Sequence, residues 1–227
     1  MITVHNLVKT YSSAAGDVRA LKGVSFEVAR GEFFAITGRS GSGKSTLLYQ
    51  LGLLDNPTAG RIHIDGVNIL ELSPQERTAF RLHELGYIFQ DYAVLPILTA
   101  TENVMVPLLM QGLSAEEAGI KARAALEAVG LAGQLHNLPS QLSGGEQQRV
   151  SIARAIAHAP KIIFADEPTA NLDSETSRAV LEVFLALHRQ GQTMVMVTHE
   201  DEYAALADRV ITLSDGEIAA DVRNKKE

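Results

Sequence analysis

Four short runs along the chain are apolar on consecutive positions: residues 33–37, 161–165, 193–197 and 209–213. A strand with one face in water alternates apolar and polar side chains. Consecutive apolar positions suit strands covered on both faces, as in parallel sheets. Between the second and third runs, residues 173–190 place Ala179, Val180, Val183, Phe184 and Leu187 at helical spacing, and Gly191 stands where that helix must end. Strand–helix–strand alternation of this kind predicts an α/β core.

Two regions break the alternation. Residues 1–30 and 60–70 carry short strand patterns, with Ile62 and Ile64 alternating against Arg61, His63 and Asp65, and with an Asp65-Gly66 turn. They predict a small antiparallel sheet beside the core. Residues 91–158 read as mostly helical. Ser114 and Glu117 have capping-box spacing at the head of a helix that runs to Gly130. The expected organisation is one domain over residues 1–227, with a helical subdomain inserted at about 91–158. Residues 223–227 read as a solvated tail.

Candidate chemistry sits at the ends of these elements. Gly38-Arg39-Ser40-Gly41-Ser42-Gly43-Lys44-Ser45-Thr46 follows the first apolar run and precedes a helical pattern at residues 46–54. Gly38, Gly41 and Gly43 let the backbone curl so that its N–H groups, including those at Ser40, Ser42 and Thr46, face an anion, and the next helix adds its positive end. In such a loop Lys44 reaches the β- and γ-phosphates and the Ser45 hydroxyl binds Mg²⁺. The bland alternative is a Gly/Ser-rich connection. A second signal, Asp166-Glu167, closes the second apolar run. Asp166 suits a Mg²⁺ partner, and Glu167 suits the group that orients or deprotonates an attacking water. A strand end meeting solvent would look the same in isolation. A third signal is Leu142-Ser143-Gly144-Gly145-Glu146-Gln147-Gln148-Arg149, in which Ser143 and Glu146 again have capping-box spacing. Its glycines expose backbone N–H groups at a positive helix end, a second potential anion site.

Composition narrows the picture. The 227 residues include no cysteine, which excludes disulfides, thiolate metal sites and a cysteine nucleophile. Lys and Arg total 20 against 27 Asp and Glu, a formal charge of −7 that argues against a general nucleic-acid binder. The first residues lack the basic start and apolar stretch of a signal peptide. The most membrane-like window, residues 95–113, is interrupted by Pro96, Glu102, Asn103, Pro107 and Gln111, so no spanning helix is expected.

The 142–149 segment resembles the signature of ABC (ATP-binding cassette) ATPases, and the resemblance extends over nearly the whole chain in the expected motif order. It implies a phosphate-loop (RecA-like) α/β core with a small antiparallel β subdomain and an inserted helical subdomain. Tyr11 matches the aromatic residue that stacks on adenine, and Val18 flanks the base. Gln90, after Gly86-Tyr87-Ile88-Phe89, matches the glutamine that touches Mg²⁺ and the attacking water. Asn171-Leu172-Asp173 matches the segment that crosses the dimer interface, although Asp173 also reads as a helix cap. His199 matches the histidine that contacts the γ-phosphate. The implied mechanism is a head-to-tail homodimer with two ATPs between the subunits. Each ATP would be held by the phosphate loop of one subunit and by Ser143, Gly144, Gly145 and Glu146 of the other.

Residues 52–60 and 89–104, with Pro107-Leu108-Leu109, look like the lipoprotein-release and macrolide-exporter (LolD/MacB-like) branch. That implies an ATPase at the cytoplasmic face of the bacterial inner membrane, bound peripherally to a separate permease, with residues 92–109 as the docking stretch or as helical-lobe core. An FtsE-like cell-division ATPase and a soluble ABC ATPase without a permease are the alternatives within the family. A phosphate-loop kinase or GTPase would leave residues 143–147 unexplained. Arg39 stands where many relatives have Pro, and Asn171 where many have Ala or Ser; neither change removes a functional group.

Overall fold

A computed structural model describes residues 1–13 and 16–224, and the contacts divide it into two compact units, residues 1–79 with 191–227 and residues 80–190. Residues 225–227 of the expected tail lie outside the described residues.

In the first unit, strands β1 (Ile2–Ser13), β2 (Gly16–Val28), β4 (Ala59–Ile64) and β5 (Val67–Asn68) form an antiparallel sheet in the order β2-β1-β4-β5. This is the predicted small sheet, with longer first strands than the short patterns suggested. Strands β3 (Phe33–Gly38), β8 (Thr193–Val197) and β9 (Arg209–Ser214) pair in parallel, with β3 between the other two. Every residue of β8 is buried, as its unbroken apolar run requires. Phe26 of β2 stacks on Phe34 of β3 with ring centroids 5.2 Å apart, which joins the two sets of strands.

Strand β10 (Glu217–Arg223) pairs antiparallel with β9. It was not predicted, because six of its seven residues are exposed and no apolar run marks it. Of the expected solvated tail, Arg223 is exposed but ends β10, and Asn224 is half-buried. Arg223 pairs with Arg209 across the ladder, and the Asn224 side chain donates to the Ala205 and Ala207 carbonyls.

Helix α1 spans Lys44–Leu51 rather than 46–54. Gly43 at φ 103° starts it two residues early, and the chain leaves the helix at Gly52, with Leu53 at φ 61°. Helix α2 (Pro74–Glu84) buries none of its residues and is mostly polar, with Ala79, Phe80 and Leu82 as its few apolar positions. The short α7 covers Asp201–Ala204.

The second unit contains the parallel pair β6 (Leu85–Ile88) and β7 (Ile162–Asp166), with helices α3 (Ala100–Met110), α4 (Ala115–Ala128), α5 (Gly144–Ile156) and α6 (Ser174–Arg189). Four side-chain caps start these helices: Thr99, Ser114, Ser143 and Asp173 each accept backbone N–H groups of the first turn. The first three are full capping boxes closed by Glu102, Glu117 and Glu146. The buried stripe of α6 is Ser177, Val180, Leu181 and Phe184; Ala179, expected on that stripe, is exposed. Among the described residues no helix is long and apolar enough to cross a membrane.

His158, just after α5, donates from Nε2 to the Leu85 carbonyl at 3.1 Å, while its Nδ1 is buried without a partner. Burial disfavours the imidazolium, and His83 and Lys121 repel it; together they outweigh the Leu85 hydrogen bond and Glu84, so the His158 pKa lies below 6.5. A depressed pKa means that the folded state prefers the neutral ring. The contribution is intact above pH 6.5 and is lost as the pH falls toward the folded value. Between pH 7.5 and pH 5.5 the melting temperature of the native chain should therefore fall more steeply than that of His158→Gln, which keeps an N–H donor but cannot titrate. Parallel melting curves in the two proteins would refute this.

Candidate functional site

The loop between β3 and α1 is shaped by backbone that only glycine tolerates. Gly38 has φ 139°, and a Cβ there would lie 2.2 Å from the Leu213 carbonyl oxygen; at Gly43 it would lie 2.6 Å from that of Ala20. Helix α1 starts on Gly43 with no side-chain cap among the described residues and no acidic residue in its first turn. Unlike α3 to α6, which start on side-chain caps, α1 starts on bare backbone at a positive helix end, an arrangement that suits an anion. Lys44 is buried as a residue, and its ammonium donates to the Gly38 and Arg39 carbonyls at 2.9 and 3.1 Å, folded back over the loop. Ser42 contributes a buried hydroxyl with no hydrogen-bond partner among the described residues. Ser40 and Gly41 are exposed, and Ser45 and Thr46 are half-buried in the first turn of α1.

Tyr11 and Val18 are direct cross-strand partners in the β1–β2 ladder, which puts both side chains on one face of the sheet. Both are exposed. His199 follows β8 and is half exposed, with Nε2 3.2 Å from a Glu200 carboxylate oxygen.

Asp166 ends β7 with its carboxylate buried, and Glu167 follows with φ 44°. Left-handed backbone at a non-glycine residue costs on the order of 1–3 kcal/mol and persists only where its surroundings enforce it. Here it bends the chain directly after β7, between buried Asp166 and half-buried Glu167.

Gln90 is exposed after β6, and its carbonyl accepts from the Asn171 amide at 2.9 Å. Tyr92 donates to the Asn171 carbonyl at 3.3 Å. Tyr92 and Ala93 are both left-handed, at φ 62° and 49°, and the Arg154 guanidinium holds that turn by donating to both of their carbonyls. The sequence places Asn171 in the interface-crossing segment and marks it as a departure, but does not point to Arg154. The available signal is a charged residue in the apolar second half of α5, residues 150–156.

Ser143 is exposed at the N-cap of α5. Glu146 receives hydrogen bonds from the Ser143 N–H and hydroxyl at 2.8 and 3.0 Å, and Gln134 donates to its other oxygen at 3.3 Å. Its carboxylate is thus committed to presenting Ser143. Gly144 and Gly145 cannot carry side chains without displacement: a Cβ would meet the Tyr92 hydroxyl at 2.9 Å or the Thr176 methyl at 2.0 Å. In α6 the Asp173 carboxylate caps the first turn and also accepts from the Thr176 hydroxyl at 2.7 Å.

Residues 21–170 match the sequence profile described as ABC transporter. The chain belongs to the ABC transporter family. Relatives within the family include MacB, a macrolide export ATP-binding/permease protein of Chlorobium luteolum, 47% identical over the whole of this chain and 33% of that protein. The ATP-binding protein LolD of the lipoprotein-releasing system of Geobacter metallireducens is 46% identical over 97% of this chain and 99% of its own length. An uncharacterized ABC transporter ATP-binding protein of Thermotoga maritima is 47% identical over 92% of this chain. The chain thus spans about a third of the MacB proteins it matches. Among solved structures, the ATP-binding cassette MJ0796, determined as a dimer in a post-hydrolysis state bound to ADP and Pi, superimposes with a TM-score of 0.92 at 40% identity over the full length of both chains. The α/β fold is that of an ABC cassette, and nucleotide binding follows from membership of the family.

Proposed function

We propose that the chain is the ATP-hydrolysing subunit of a membrane transporter and works as a head-to-tail homodimer. The observation that carries the reading is that one chain holds both a glycine-started α1 without a side-chain cap and a second helix, α5, whose start presents Ser143 and two glycines. In this reading Lys44 and the loop N–H groups neutralise the β- and γ-phosphates. Glu167 orients and deprotonates the attacking water, and Gln90 and His199 position the water and the γ-phosphate. Ser143, Gly144 and Gly145 complete the site from the opposite subunit, with Glu146 fixing their geometry. Tyr11 and Val18 receive the adenine. The Ser45 hydroxyl, the Asp166 carboxylate and the Gln90 amide oxygen are hard oxygen donors suited to Mg²⁺, whose bound form would neutralise charge on the phosphates.

The partner proposed is a permease of the lipoprotein-release or macrolide-export type, which would place this chain peripherally on the cytoplasmic face of the inner membrane. LolD supports this at nearly full length. The docking stretch, residues 92–109, gains support from Leu95, Ile97 and Leu109, which are all exposed. Buried Asn103 ties that loop to α3 by hydrogen bonds with Leu95, Leu98 and Thr99. The 1–227 span is proposed as a single cassette whose helical subdomain covers about 91–158.

Subunit mixing tests the shared site. Ser143→Asp keeps a good helix cap but sets a negative charge against the triphosphate, so it should inactivate alone, as should Lys44→Ala. Equal mixing under subunit exchange leaves heterodimers with one intact composite site, and up to roughly a quarter of native turnover should return if the sites act independently. No recovery despite demonstrated exchange would sink the composite site.

A further inference from the structure

The segment at residues 52–60 marks the family branch, but the roles assigned above leave it without a task. Its carboxylate, Asp55, is the centre of a converging set of donors. Lys9 reaches both of its oxygens at 2.8 Å. The Tyr11 hydroxyl donates to it at 3.0 Å, and Gln50 of α1, fully buried, donates at 2.9 Å. The Asn56 backbone N–H adds a further bond at 2.7 Å. The Lys9 ammonium also stands over the Tyr11 ring, 4.7 Å from its centroid.

We infer that Asp55 is a positioning residue for nucleotide recognition: it fixes the Tyr11 ring in one orientation and ties it to the phosphate-binding helix through Gln50. This rests on Tyr11 being the base platform. An untethered, exposed tyrosine ring distributes over about three staggered χ1 wells. Holding it in one well before binding removes that entropic loss from the binding step. Lys9 covers one ring face, so the base has the other face to stack on, beside Val18. The anchor to α1 sets the span between base and phosphates. Burial raises the Asp55 pKa, but the hydrogen bonds from Lys9, Asn56 and Tyr11, with the Lys9 charge, more than reverse this and hold it below 3.8. The tether is therefore charged at neutral pH.

The test compares two probes on the full chain, ATP and inorganic tripolyphosphate, which offers the phosphate loop the same anion without a base. Asp55→Ala should weaken ATP binding about three- to tenfold and leave tripolyphosphate binding unchanged. Asp55→Asn, which keeps an acceptor oxygen and guards against a folding defect, should lie between native and Asp55→Ala. In a Tyr11→Phe background, already lacking the hydroxyl, Asp55→Ala should cost less than it does alone. Equal losses for both probes would overturn the inference, because the damage would then have reached the phosphate loop. So would native ATP affinity in Asp55→Ala while Tyr11→Ala loses it. If Tyr11→Ala itself binds ATP normally, the base-platform reading falls, and the inference with it.

Discussion

Lys44→Ala is expected to lower ATP hydrolysis by at least about 100-fold, the effect of removing one preorganised charge from a phosphoryl-transfer site. The lysine is held ready: the residue is buried and its ammonium is held by two loop carbonyls, Gly38 and Arg39. A phosphate arriving at the loop exchanges neutral acceptors for an anionic one, a stronger hydrogen bond by roughly twofold. Alanine removes that charge, and it also removes two hydrogen bonds from the loop at about 1 kcal/mol each. Melting curves must therefore accompany the rate measurements. Native turnover in a folded Lys44→Ala chain would refute the phosphate-loop assignment.

Glu167→Gln is expected to reduce turnover by about 10²–10⁴-fold, the range for loss of a general base, without loss of ATP binding. The substitution is almost isosteric, and both side chains face the same backbone demand at φ 44°, so the change isolates charge and basicity from fold. With hydrolysis blocked, γ-phosphate contacts that favour the closed pair persist, and the population shifts to the dimer.

Strands β3, β7 and β8 were legible because burial on both faces leaves an unmistakable run: residues 193–197 were expected and Thr193–Val197 is β8. Helix starts at Ser114, Ser143 and Asp173 were legible because a cap is local chemistry. The start of α1 was placed two residues late because Gly43 caps it by conformation and offers no side chain to read. Strand β10 and helix α2 lay hidden because neither buries a stripe. For the site, the motifs supplied residue identities but not their supports. The Tyr11–Val18 pairing depends on a ladder with irregularities on either side of Leu7 and between Lys9 and Thr10, which no local pattern reports. The bonds from Arg154 to Tyr92 and from Asn171 to Gln90 join residues 62 and 81 positions apart.

The central claim is that ATP joins two copies of this chain. The most direct measurement is the molar mass of Glu167→Gln by light scattering in ATP and Mg²⁺, with nucleotide binding verified in the same sample. The predicted species has twice the 24.5 kDa chain mass and returns to the single-chain mass when Ser143→Asp is added. A Glu167→Gln chain that binds ATP yet stays at the single-chain mass at every concentration would contradict the claim.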